Sequence, residues 1–104
     1  LHDMGDPDGV ARAVRRALRA DGTLLLVEPF ANDRLEENLT PVGRVFYGGS
    51  TLICTPCSLA QPGARALGPQ AGPTVLTNLL HDAGFTRVRV ANESPVNLVF
   101  EARP

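Results

Sequence analysis

The stretch LHDMGDPDGV, residues 1–10, sets one histidine, His2, among three aspartates, two glycines and a proline. That mixture reads like an active-site loop rather than a core element. Histidine is the side chain whose unperturbed pKa, about 6.5, suits it to take a proton at neutral pH. A further carboxylate, Glu28, closes the apolar run TLLLVEP just before Pro29. It can serve a neighbouring site or simply end a strand. Cys54 and Cys57 form CTPC, a spacing that fits a redox pair or half of a zinc site. A redox pair normally follows a strand at a helix start, and no strand is expected ahead of Cys54. Zinc needs two more ligands, and His2 and His81 lie far off in sequence. The expectation is therefore two small, half-buried loop residues and no metal. His81, beside Asp82, reads as a solvated helix-end residue favoured by the negative pole of the helix.

These residues need elements to hold them. Asp6 can cap a first helix, Pro7 suits its first turn, and Asp8 complements the positive end of the dipole. Val10, Val14, Ala17 and Leu18 then share one face with Ala11 beside them, while Arg12, Arg15, Arg16 and Arg19 take the other side. Ala20–Gly22 should stop this helix, with Gly22 in the left-handed conformation. Thr23 to Val27 is unbroken and apolar, the pattern of a parallel strand covered on both faces. Helix, turn and buried strand make the second half of a βαβ unit, so a preceding parallel strand is expected before Leu1.

Residues 30–72 change character. Pro41, Pro56, Pro62, Pro69 and several glycines interrupt them, which predicts a partly helical insert over a site. Thr40–Pro41 can start a helix with Val42, Val45, Phe46, Leu52 and Ile53 as its apolar positions, weakened or closely approached at Gly48–Gly49. GPTVLTNLLHDAGF then predicts a helix with Val75, Leu76, Leu79, Leu80 and Ala83 inward, ended by Gly84 with Phe85 folded back. Thr86–Ala91 alternates as an edge strand, and Asn97–Ala102 should return antiparallel beside it.

Composition narrows the classes. The chain of 104 residues is 43% hydrophobic, enough to feed one core. Its formal net charge is −1 with signs interspersed, which removes the usual argument for nucleic acid or anionic membrane as partner. No apolar run approaches the roughly 20 residues of a membrane span. A soluble, cytoplasmic domain is expected.

The order helix, strand, insert, helix, strand, strand resembles the C-terminal half of a class I S-adenosylmethionine-dependent methyltransferase. LHDMGDPDGVARAVRRALRADGTLLLVEP is similar to the family's stretch from the end of its fourth strand through its fifth. LLHDAGFTRVRV and NLVFEARP resemble its late segments. The His-Asp opening is most similar to O-methyltransferases that carry a winged-helix dimerisation region upstream, although Met4 stands where those enzymes favour a large aromatic residue.

The resemblance implies an α/β fold: half of a Rossmann-like methyltransferase domain, with three strands, a final antiparallel pair and helices on the faces. It implies that His2 is the general base removing a hydroxyl proton and that Glu28 orients it. Asp3 is then expected to touch the cofactor, though an aspartate after a strand also braces a turn. Phe46, Tyr47 and Leu52 can line an acceptor pocket or pack in the core. Most of the S-adenosylmethionine site would belong to an N-terminal half outside residues 1–104. No G-x-G-x-x-G turn is present, since Tyr47–Thr51 (YGGST) follows no expected strand. The 104 residues alone are therefore expected to be inactive and to pair with that half or with a second copy. A non-catalytic binding or dimerisation module reusing half the fold is the alternative. Half of a nicotinamide-dependent oxidoreductase fits less well, because those sheets usually stay parallel at this edge.

Overall fold

A computed structural model describes residues 1–104. Asp6 accepts the Gly9 amide proton at 2.8 Å and starts α1 (Pro7–Ala17), with Pro7 in the first turn. The helix gives way at Leu18, whose backbone is already extended. Gly22 is not left-handed, contrary to the expectation, because the helix has ended before it. Ala11 is buried and Val10, Val14 and Leu18 are half-buried, but Ala17 is exposed, so the buried stripe is narrower than its periodicity suggests.

β1 (Leu24–Pro29), β2 (Arg87–Glu93) and β3 (Asn97–Arg103) form one sheet in the order β1-β3-β2. β3 lies in the middle and runs antiparallel to both neighbours, pairing Leu26 with Phe100 and Val88 with Ala102. β2 is an edge, as its alternating pattern predicts. The other edge is β1, whose far side has no strand beside it.

α4 (Pro73–Asp82) and α1 cover one face of the sheet. Leu76, Leu79, Leu80 and Ala83 from α4 and its end meet Leu98, Phe100 and Ala102 from β3, with Ala11 and Phe85 completing the core. α4 ends as expected: Gly84 sits at φ +97°, and the Phe85 amide donates to the Leu80 carbonyl at 3.2 Å. Its start is fixed from a distance, because Asp33 accepts from the amide and the hydroxyl of Thr74 at 2.8 and 2.7 Å. Val75, expected inward, points outward.

The opposite face of the sheet is open. Leu25 and Val27 are 62% and 57% exposed, so the covering expected for β1 on both faces is not supplied by these residues. The insert is partly helical: a 3₁₀ turn (Leu35–Asn38), α2 (Pro41–Gly49), a π-helical turn (Ser50–Cys54) and α3 (Thr55–Leu59). Thr40 caps α2 by accepting from the Gly43 amide at 3.0 Å, and the helix runs straight through Gly48–Gly49, where nothing approaches. Val45, Leu52 and Ile53 are exposed rather than core; within the insert Leu67 and Ala71 pack against the core, while Ser58 and Gln61 bond to the loop 1–6. The CTPC residues are helical, not in a loop as expected.

Candidate functional site

Alternation along β1 puts Leu24, Leu26 and Glu28 on the helix-covered face, opposite Ala102, Phe100 and Leu98. Glu28 thus continues an apolar stripe at the carboxyl end of the strand, and it is only 2% exposed. A buried carboxylate needs partners. Its Oε2 accepts from His2 Nδ1, and its Oε1 lies 2.7 Å from the backbone nitrogen of Leu1. Burial pushes the Glu28 carboxyl up, and the hydrogen bond and charge of His2 pull it down towards the ionised form. An ionised carboxylate only accepts, so Nδ1 carries the proton and the ring orientation is fixed.

That leaves Nε2 as the working atom of His2. It faces Asp3 Oδ1 at 3.1 Å. Asp3 Oδ1 is itself buried and makes no hydrogen bond, although the side chain as a whole is half-exposed. The third neighbour is Cys54, whose Sγ joins His2 and Asp3 in a group with all ligand atoms within 4.8 Å of one another. Burial and the adjacent Asp3 carboxylate push the Cys54 thiol up to about 11. His2 and Cys54, far apart in the chain, are neighbours in space. Cys57 is exposed and unbridged, and His81 Nδ1 donates to the Phe85 carbonyl at 2.9 Å at the far end of α4, outside this cluster.

The insert straps this loop in place through residues that sequence reading did not single out. Ser58, fully buried, donates to the Met4 carbonyl at 2.8 Å and accepts from the Ala66 amide at 3.0 Å. Gln61 donates to the carbonyls of Asp3 and Cys57 at 2.8 and 3.0 Å and accepts from the Gly5 amide at 3.1 Å. Gly5 permits the approach: a Cβ there would stand 2.5 Å from the Pro62 carbonyl oxygen. The readable signal was the helical spacing of Cys54, Cys57, Ser58 and Gln61, which puts all four on one face.

Two cavities flank these groups differently. An entirely apolar one of about 190 Å³ lies between α1 and β1, lined by residues including Leu1, Met4, Val14 and Leu26. The larger, about 510 Å³, opens on β2 and β3 among Arg87, Arg89, Arg103 and Glu101, and none of His2, Asp3 or Glu28 lines it. Its cations are largely spoken for, because Glu101 pairs with both Arg89 and Arg103 at 2.5 and 2.9 Å. The sequence matches no family model and no curated protein.

Proposed function

We propose that this chain is the substrate-side, C-terminal part of an S-adenosylmethionine-dependent O-methyltransferase acting on a small molecule. The observation that carries the reading is the buried Glu28 carboxylate accepting from His2 Nδ1. It leaves Nε2 as the atom that takes the acceptor's hydroxyl proton. Methyl transfer from a sulfonium is an in-line displacement, so the protein's work is chiefly to hold oxygen and methyl carbon at attack distance while the proton leaves. Both residues lie at the carboxyl end of β1, where open α/β sheets bind their ligands. Asp3, 3.1 Å from Nε2, stands where the acceptor must arrive. Being half-exposed, it is free to turn aside, towards the cofactor with which the resemblance associates it.

The sheet supports the same reading. Its last strand pairs antiparallel as the resemblance implies, and β1 keeps a free edge for a parallel neighbour. The cofactor's glycine-rich turn would then be supplied from outside residues 1–104.

The test is methyl transfer to a panel of phenols and alcohols by the polypeptide extended upstream of Leu1 in its own reading frame. His2→Ala should lower kcat/KM by about 10²–10⁴-fold, the usual share of a general base, with cofactor affinity unchanged. Glu28→Gln should lower it less. An undiminished His2→Ala enzyme refutes the assignment, and micromolar cofactor binding by the 104-residue chain alone refutes the division of labour.

A further inference from the structure

We propose that His2 Nε2, a carboxylate oxygen of Asp3 and Cys54 Sγ form a three-point site for a divalent, borderline-soft cation, with Zn²⁺ the best fit. The proposal does not rest on the methyl-transfer reading. It competes with it for one lone pair, because a metal on Nε2 prevents His2 from taking a proton.

Three observations carry it. The first is the donor set: one imidazole nitrogen, one carboxylate oxygen and one sulfur, all within 4.8 Å of one another and all half-buried. These are the three donor types zinc uses, and ideal bond lengths would set them roughly 3.3–3.6 Å apart around a tetrahedral ion. Small torsional adjustments at Cys54 and Asp3 close the difference. The fourth position then stays open for water or an exogenous ligand.

The second is the support behind the histidine. Ligating histidines characteristically give their other N–H to a carboxylate, which fixes the tautomer and raises the basicity of the ligating nitrogen. Glu28 does this from a buried position at the end of β1.

The third is how two of these groups meet without a cation. A buried Asp3 oxygen with no hydrogen-bond partner faces Nε2 at 3.1 Å, two acceptors turned towards each other. A cation placed between them satisfies both. Cys54 also ends a π-helical turn, a rare local geometry that recurs at functional sites. Binding is balanced simply: the Cys54 S–H bond breaks, its proton leaves to solvent, and a sulfur–metal bond forms. His2 keeps its Nδ1 proton on Glu28.

Cobalt(II) titration of the 104-residue chain tests this without any methyl-transfer readout. A thiolate-to-cobalt charge-transfer band in the near ultraviolet should saturate at one equivalent and be displaced by Zn²⁺. Cys54→Ser should abolish the band and Cys57→Ser should leave it. Glu28→Gln should weaken binding by about 10–100-fold, the usual cost of an outer-shell partner. No band, a band surviving Cys54→Ser, or one lost with Cys57→Ser overturns the site. Should Cys54→Ser fail to fold, alkylation of the unaltered chain decides instead. Zn²⁺ must then protect Cys54 from iodoacetamide at least tenfold more than it protects Cys57, and equal protection overturns the site.

Discussion

Ser58→Ala is the sharpest probe of how the insert holds the candidate site. The hydroxyl is fully buried and makes two hydrogen bonds, donating to the Met4 carbonyl and accepting from the Ala66 amide. Alanine fits the same space but satisfies neither group. A typical buried hydrogen bond contributes about 0.5–1.5 kcal/mol net, so losing both costs about 1–3 kcal/mol. That energy acts locally, because Ser58 ties the insert to the loop 1–6 and does not touch the core under α4. The assay is therefore native-state hydrogen exchange at the Arg65 amide, which donates to the Gly5 carbonyl at 3.0 Å in the same strap. Its exchange should quicken about 5–150-fold, the free-energy range above expressed as an opening equilibrium. The Phe100 amide, on the central strand, should change much less. Leu59→Ala is the control, since its 55% exposed side chain should matter within about 0.5 kcal/mol. If Ser58→Ala leaves Arg65 as protected as Leu59→Ala does, the strap is not what orders the loop bearing His2.

Two further outcomes follow from the sheet. On Glu101, partial burial raises the carboxyl, but Arg89 and Arg103 outweigh this and hold it below its ordinary value. A carboxyl lowered in the folded state stabilises above its unfolded pKa, about 4.3, and loses that contribution as pH falls through the folded value. Acid titration of stability should thus be steeper for the unaltered chain than for Glu101→Gln, and the difference should shrink in high salt; identical acid limbs refute it. The open face and free edge of β1 should drive the 104-residue chain to self-associate in light scattering. Leu25→Lys with Val27→Glu should reduce that association without loss of fold, and a monodisperse unaltered monomer refutes the expectation.

Local rules in the sequence settled the elements. Asp6 and Pro7 begin α1, Thr40 begins α2, and Gly84 with Phe85 closes α4, because capping and left-handed turns depend on a few adjacent residues. The antiparallel return of Asn97–Ala102 was legible for the same reason, a short connection between two alternating strands. The pairing of β1 with β3 was not, since it joins segments separated by the whole insert. Burial went wrong wherever a pattern promised a cover that no neighbour supplies: Leu25 and Val27, Val45, Leu52 and Ile53 are apolar and exposed. The candidate site divides in the same way. His2 and Asp3 stood out in the opening loop and Glu28 only through the resemblance, yet only the tertiary structure put Cys54 beside them and Ser58 and Gln61 beneath the loop. The reason is physical: sequence spacing encodes which face of a helix or strand a residue occupies, whereas chemistry at this site depends on through-space distances set by how separate elements pack.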